Sequence, residues 1–169
     1  MPFTPFHIGP TLMFGLLFFS WLDFSTLIVA SFAQDIEPAI AIIFRLSYPW
    51  YGWFHHIEGS IVTIILVAVV LYTTRIHIRS VMARLGLYQE SSFKKIFLTS
   101  IFGVCIHLAF DAPPHARLEL NVIPLELTII EAAIYVFSIL SLFTSFVLYK
   151  RKIKNKTYHL NEQTKRPNK

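Results

Sequence analysis

Apolar residues dominate five stretches of this chain, and short polar segments separate them. A helix needs about 17–25 mostly apolar residues to cross a bilayer, so the first and fourth stretches span only if flanking residues extend them. The pattern predicts an all-α fold, an integral membrane helical bundle of about five spans. The stretches cover roughly residues 8–22, 25–44, 57–74, 96–111 and 127–149.

Prolines mark two points where these predicted helices start or break. Gly9-Pro10 is expected to start or kink the first helix, because proline suits a first helical turn and disrupts an interior one. Pro38 disfavours helical geometry at Glu37 and removes one backbone hydrogen bond from the second helix. Inside an apolar span, such a break is tolerated only where protein or water satisfies the freed backbone groups.

Composition favours the same class. Of 169 residues, 54% are hydrophobic and 15% charged, and the mean hydropathy is +0.56. Soluble domains carry about 25% charged residues. The single cysteine, Cys105, excludes an intramolecular disulfide and is expected to be a small buried hydrophobe. No Lys or Arg precedes Arg45, so the first stretch lacks the positive start of a secretory signal peptide and is expected to be retained.

Basic residues predict the orientation of the bundle. Five lie in the segment 75–95 and eight from Lys150 onward, and only Arg45 and Arg117 fall elsewhere. The positive-inside rule then places the 75–95 loop and the C-terminus in the cytoplasm of a prokaryotic inner membrane, and the N-terminus outside. The net charge of +5 accompanies no nucleic-acid motif, so nucleic acid is not an expected partner.

Polar residues inside the apolar stretches are the candidates for chemistry. His107 and Asp111 are four residues apart, which stacks both on one helix face, and an Asp at the centre of a span costs about 2.5–3.5 kcal/mol. At a helical rise of about 1.5 Å per residue, they lie roughly 18 and 24 Å from the inner end of their span, and Asp35 roughly 15 Å. His7 and His55 lie on the outer side, so all five are expected to converge in the outer half.

Imidazoles and carboxylates are ligands of zinc and similar divalent ions. We therefore predict a metal site, with Zn²⁺ the expected ion and one or two ions held. Asp35 or Glu37 is the predicted catalytic base, within reach of a metal-bound water. Taken singly, each polar residue also fits a helix–helix partner or an interfacial group. The predicted metal ligands are His7, Asp35, His55, His107 and Asp111.

Five further residues remain open between two or more roles. His56 and Glu58 either orient ligands by hydrogen bonds or supply ordinary interface polarity. Arg117, two residues after His115, either grips a phosphate by its planar guanidinium or contacts a lipid headgroup. Glu131 is a ligand, a general base or a partner for a polar group of the bundle.

Four short motifs resemble, in the same order, a prokaryotic family of small membrane-bound, metal-dependent hydrolases. They are Met-Pro-Phe-Thr-Pro-Phe-His-Ile-Gly-Pro at the start, then Asp-Ile-Glu-Pro, Tyr-Pro-x-x-Gly-x-x-His and His-x-x-x-Asp, within roughly residues 1–125. That family is distantly similar to zinc-dependent phospholipase C and P1 nuclease. The resemblance implies the five metal ligands named above and Asp111 as a bridge between two ions. Relatives often have His before the Gly where this chain has Tyr51, which changes the expected number of ions.

These patterns predict a membrane-bound hydrolase of phosphoester or lipid-headgroup substrates, with the bilayer and a phospholipid as partners. Residues 1–150 are expected to form the membrane-embedded metal-binding domain and 151–169 a basic cytoplasmic tail. Intramembrane Asp and His residues beside a broken helix also fit an ion-coupled transporter, although five spans are few and no internal repeat is visible. A third interpretation is a metal that only staples the helices.

Overall fold

The structure, a computed structural model, describes residues 7–45, 52–120 and 125–165. Within these ranges, the side chains of residues 113–120, 125–128 and 156–165 are not described. Within these ranges the chain is all-α, as predicted, with seven α-helices, one 3₁₀ turn at Trp53–His55 and no strand. The helices are α1 Ile8–Leu17, α2 Phe24–Ala33, α3 Ile36–Ile43, α4 Ile57–Thr73, α5 Arg75–Arg84, α6 Phe93–Leu120 and α7 Leu125–Lys165.

Among the described residues, two segments are long and apolar enough to cross a membrane by themselves, Phe93–Ala112 of α6 and Ile129–Asn155 of α7. The count rises to four if two bent pairs each form one span, α2 with α3 at 50° and α4 with α5 at 75°. The first predicted stretch forms only the ten residues of α1, roughly 15 Å at the helical rise. A membrane bundle is therefore supported, and the number of five spans stays a prediction.

Two expectations about local structure are wrong in detail. The segment 75–95, expected as a loop, begins with helix α5, and at the junction with α4 Arg75 donates to the carbonyl of Tyr72 at 2.7 Å and lies over its ring. Cys105 is exposed on α6 instead of buried, which suits a small apolar side chain facing lipid. The second stretch does break, but at Gln34-Asp35 and not at Glu37: α2 ends at Ala33, and Glu37 and Pro38 both lie in the first turn of α3, where proline is tolerated.

Small polar side chains fill the interior of the bundle, and large apolar side chains cover its outside. Thr11, Ser31 and Ser100 are completely buried, whereas Ile57 is 78% and Phe143 69% exposed. Helices in lipid pack through small residues, because lipid tails are as apolar as leucine and solvate large apolar side chains well. This distribution supports a membrane environment independently of helix length.

Close backbone approach holds the helices together. α2 packs on both α4 and α6, where Ala30, Ala68 and Val104 belong to one buried cluster. A Cβ at Gly103 would come within 2.7 Å of the Cβ of Ala30, so glycine sets the distance between α6 and α2. α1 packs mainly against α7, and a Cβ at Gly9 would overlap the backbone oxygen of Ser138.

The contacts divide the bundle into two ends. We call the end that carries His7, His55 and His107 the histidine end. The opposite, basic end comprises residues 18–23, 74–95 and 149–155, which contact one another: Lys95 Nζ donates to the carbonyl of Ser20 at 3.0 Å, and Lys152 Nζ lies 3.4 Å from the ring centroid of Phe19. The predicted separation of the basic loops from the polar cluster is thus present in the fold.

Asp23 organises the basic end. It caps α2, and its Oδ1 accepts hydrogen bonds from the backbone N–H of Thr26 at 2.8 Å and from the hydroxyls of Ser25 and Thr26, each at 2.7 Å. Its Oδ2 accepts from the Ser91 hydroxyl at 2.6 Å. Gln89 reinforces this connection, because its side chain bonds the N–H of Phe24 and the carbonyl of Leu22. Two distant loops are thereby tied together around one carboxylate.

Replacing Asp23 by Asn is expected to lower stability in a pH-dependent way. Burial raises the pKa of Asp23, but hydrogen bonds from Ser91, Thr26 and Ser25 outweigh it and hold the pKa below its usual value. A carboxyl whose pKa is lower in the folded state than in the unfolded state stabilises the fold at pH values above its unfolded-state pKa. That stabilisation is lost as the pH falls through its folded-state pKa. We expect Asp23→Asn to cost about 1–3 kcal/mol at pH 7, and the difference from wild type to shrink below about pH 4.

Denaturation in detergent at pH 7 and pH 3.5 measures this difference. Glu90→Gln is the control, because that carboxylate is largely exposed and only paired with Arg79 at 3.5 Å, so it is expected to change stability by less than about 0.5 kcal/mol. If the loss of stability in Asp23→Asn were the same at pH 7 and pH 3.5, the proposed role of the Asp23 charge would be contradicted.

Candidate metal centre

The five predicted ligands meet at the histidine end, although they come from four separate segments. His7 precedes α1, Asp35 lies at the break between α2 and α3, and His55 ends the 3₁₀ turn. His107 and Asp111 lie one turn apart on α6. All five side chains are buried, with at most 7% of any of them exposed. The structure therefore brings together the residues that the sequence predicts as ligands.

Four of the five form a compact set. One ligand atom from each of Asp35, His55, His107 and Asp111 lies within 4.8 Å of every other. His107 Nε2 is 3.3 Å from both His55 Nε2 and Asp111 Oδ2, and 3.8 Å from Asp35 Oδ1. His55 Nε2 is 3.6 Å from Asp111 Oδ2. A tetrahedral zinc with bonds of about 2.0–2.1 Å places its ligand atoms about 3.3 Å apart. The spacing among His55, His107 and Asp111 is close to this value, and the carboxylate of Asp35 would have to approach the other three to complete the tetrahedron.

The hydrogen bond on the far side of His107 fixes which of its nitrogens faces the centre as a ligand. Nδ1 lies 2.7 Å from the carbonyl oxygen of Ser31. A carbonyl oxygen only accepts, so Nδ1 carries the proton and, in the neutral ring, Nε2 presents its lone pair. Metal-binding histidines are oriented in this way, with the second nitrogen donating to a carbonyl or carboxylate.

His7 reaches the cluster from the opposite side of Asp111. Its Nε2 lies 2.9 Å from Asp111 Oδ1, while Oδ2 of the same carboxylate faces His55 and His107. The rings of His7 and His107 lie 4.6 Å apart between centroids. Asp111 thus directs one oxygen to His7 and the other to the compact set, which is the orientation that a bridging carboxylate requires.

The turn that carries His55 is held by side chains flanking Asp35. The buried Gln34 donates from Nε2 to the carbonyl of Phe54 and to the hydroxyl of Ser60, both at 2.9 Å. Glu37 Oε2 accepts the N–H of Phe54 at 2.8 Å. Gly52 allows this approach, because a Cβ there would overlap the Glu37 carboxylate. The break between α2 and α3 therefore supplies both a ligand and the supports of a second ligand.

Gln34, Ser31 and Ser60 are contributors that the sequence reasoning missed. Gln34 directly precedes Asp35 and stands in an apolar stretch, which was the one signal available for it. Ser31 acts through its backbone carbonyl, and its hydroxyl accepts from Thr11 at 3.1 Å, connecting α2 to α1. No residue-type pattern identifies a backbone acceptor, so Ser31 became visible only in the fold.

The remaining candidates lie in different surroundings. His56 and Glu58 are exposed beside the turn and are not among the four close ligand atoms. Glu131 is buried in α7, two turns before Ser138 and on the same helix face. His115 and Arg117 belong to α6, but their side chains lie outside the described residues, as does Tyr51. The roles of these residues and of Glu37 as a base stay predictions.

Comparisons of the chain with protein-family models, with curated protein sequences and with solved structures give no match. The fold and the site together define an all-α protein with helices able to span a membrane and a buried Asp–His–His–Asp group able to hold a metal ion.

Replacing Gln34 by Met is expected to weaken metal binding without unfolding the protein. Met preserves the length of the side chain but frees the turn that carries His55, and loss of such an outer partner costs about 10–100-fold in metal affinity. Competition with a chromophoric chelator measures the affinity. Glu90→Gln, at an exposed carboxylate of the basic end, is the control and should leave the metal affinity unchanged. Equal affinities of Gln34→Met and wild type would contradict the positioning role.

Proposed function

We propose that this protein is a membrane-bound, divalent-metal-dependent hydrolase of phosphoester bonds, with lipid headgroups as the favoured substrates. The observation that carries the proposal is the convergence of Asp35, His55, His107 and Asp111, whose ligand atoms lie within 4.8 Å of one another. Zn²⁺ is the proposed ion, because the set consists of imidazole and carboxylate, which are the ligands of zinc.

A divalent cation would fit at this position, because ligand atoms of the four residues face one another there. The lone pair of His107 Nε2 points toward Asp111 Oδ2 at 3.3 Å, and Asp35 Oδ1 lies 3.8 Å away. Asp35 Oδ2 is also buried and has no hydrogen-bond partner among the described residues. Burying a carboxylate oxygen without a partner is costly, and a divalent ion held by Asp35 and Asp111 would lower that cost for Asp35.

The proposed chemistry follows from the groups of the chain. A bound divalent ion would lower the pKa of a coordinated water and polarise the scissile phosphoester. Asp35 is the proposed base, since Oδ1 faces the ligand set while Oδ2 remains available to accept a proton. Asp111 connects His7 with the other ligands, because one of its carboxylate oxygens faces His7 and the other faces His55 and His107. His7 Nε2 orients this carboxylate from 2.9 Å.

We place the basic end in the cytoplasm and the histidine end toward the outside of a prokaryotic inner membrane. The separation of the two ends supports this assignment together with the positive-inside rule. The C-terminal part of α7, which is rich in Lys and Arg, then lies in the cytoplasm. A site at the outer end of α6 would stand near the depth of lipid headgroups, so a headgroup phosphoester is the natural substrate. The relationship to zinc-dependent phospholipase C and P1 nuclease stays part of this proposal.

Metal analysis of the purified full chain, combined with hydrolysis assays, tests the proposal. We expect at least one zinc per chain by mass spectrometry. Hydrolysis of bis(p-nitrophenyl) phosphate or of phosphatidylglycerol in mixed micelles should be lost on dialysis against a chelator and restored by zinc. Protein that is folded but binds no divalent metal would overturn the proposal.

Burial of the cluster supports a second candidate, a metal that only staples the helices. His107 is completely buried and Asp35 is 3% exposed, as in closed structural sites, whereas catalytic sites keep a position open to water. If the metal is purely structural, removing it with a chelator is expected to lower the melting temperature, and neither of the phosphoester substrates named above is expected to be hydrolysed. Metal-dependent hydrolysis of either substrate would exclude a purely structural metal.

A further inference from the structure

A groove of about 510 Å³ opens at the basic end, far from the candidate metal centre. Side chains of α1, α2, α5 and α7 form its walls, among them Leu16, Ile28, Met82, Leu85 and Phe146. Its volume falls within the range of about 300–1,000 Å³ that is typical of ligand pockets.

The lining of this groove selects for hydrocarbon. Only Ser145 and Tyr149 contribute hydroxyls to it, and both already donate within the protein. Ser145 Oγ donates to the carbonyl of Ser141 at 2.7 Å, and Tyr149 donates to the carbonyl of Leu85 at 3.0 Å. A polar ligand would find few hydrogen-bond partners, whereas an alkyl chain needs none. The wall on α7 belongs to the candidate span Ile129–Asn155, so the hydrocarbon of a surrounding bilayer would lie beside the groove.

The charge at the mouth of the groove selects the headgroup. Lys150 Nζ lies 5.4 Å from the ring centroid of Phe146, a lining residue, and Arg84 directly precedes the lining residue Leu85. The two described acidic side chains at this end are both engaged, Asp23 in the buried clamp and Glu90 with Arg79. The positive charge beside the groove is therefore not neutralised by the neighbouring chain.

We propose that the groove binds one acyl chain of an anionic phospholipid from the leaflet at the basic end, with the headgroup phosphate beside Lys150. Basic pockets between membrane helices bind anionic headgroups in this way, and the apolar walls add the burial of the chain. This site is separate from the metal centre and does not depend on hydrolytic activity.

Quenching of tryptophan fluorescence by brominated lipids tests this proposal. The reporter is Phe146→Trp in the full chain, with Trp21, Trp50 and Trp53 changed to Phe, reconstituted in phosphatidylcholine vesicles. We expect half-maximal quenching at about three- to tenfold lower mole fraction of brominated phosphatidylglycerol than of brominated phosphatidylcholine. Changing Lys150 and Lys152 to Gln should remove this preference while quenching by phosphatidylcholine persists.

Phe143→Trp in the same background is the matched control, because residue 143 is 69% exposed and lies outside the groove. It should be quenched equally by both lipids. Equal quenching by both lipids at residue 146 would overturn the proposal, and so would an equally large preference at residue 143, which indicates general enrichment of anionic lipid. A reporter at 146 that neither lipid quenches would show that another protein surface covers the groove, and would also overturn it.

Discussion

Replacing His107 by Ala is expected to abolish stoichiometric metal binding, and with it any metal-dependent hydrolysis. His107 stands at the centre of the cluster, with His55 and Asp111 each 3.3 Å from its Nε2 and a supporting hydrogen bond to Ser31 behind it. Removing it leaves two buried carboxylates, Asp35 and Asp111, with one fewer neighbouring ligand. We expect the metal content to fall from at least one ion per chain to below about a tenth, since even outer-shell changes cost about 10–100-fold in affinity.

His77→Ala is the matched control, because His77 is an exposed residue of α5 at the basic end. It should keep wild-type metal content and activity. Size-exclusion chromatography and circular dichroism verify that both variants are folded. A folded His107→Ala protein that retains a full equivalent of zinc would contradict the assignment of the centre.

Replacing Gly9 by Ala is expected to destabilise the bundle by about 2–3 kcal/mol, the upper part of the range for overpacking. A Cβ at this position would overlap the backbone oxygen of Ser138 and approach the Ser141 hydroxyl to 2.6 Å. Backbone on α7 cannot rotate away, so α1 must shift. Because His7 directly precedes α1, the shift also weakens its contact with Asp111, and we expect lower metal affinity in the same variant.

Gly15→Ala makes the same change in the same helix with a different neighbour. Its Cβ would meet the ring of Phe24 at 2.7 Å, and a side chain can move where backbone cannot. Because alanine also gains about 1 kcal/mol of helix propensity over glycine, Gly15→Ala is expected to be close to neutral. Thermal unfolding in detergent compares the two. Equal melting temperatures would show that α1 and α7 are not held at the separation described.

The helical class and the convergence of the five candidate ligands could both be predicted from the sequence, for physical reasons. In lipid, a long apolar segment of this kind satisfies its backbone hydrogen bonds by forming a helix. Polar residues in such runs are costly enough that they mark a site, which is how Asp35, His107 and Asp111 became visible. The separation of the two ends followed from the positions of Lys and Arg alone.

Other features depend on contacts between distant segments and were not predictable. The helix at Arg75–Arg84 was missed because its basic residues resemble those of a loop, and the sequence pattern carries no signal for the 75° bend between α4 and α5. The supports of His55 were missed because Gln34 and Glu37 act on the backbone of Phe54, which no side-chain pattern reports. The number of spans depends on how bent pairs sit in a bilayer, and sequence hydropathy does not distinguish a short helix from a crossing one.

The wide spacing of the ligands along the chain has a consequence for biogenesis. His7 and Asp111 are separated by more than half of the sequence, and Asp35 and His55 fall between them. None of the helices that carry them holds more than two of these residues, so a nascent chain has no complete site until α6 has been inserted and packed. A metal site that forms only on assembly couples ion uptake to folding. The content of the proposed metal per chain would then count the correctly assembled molecules in a membrane preparation, before any substrate is known.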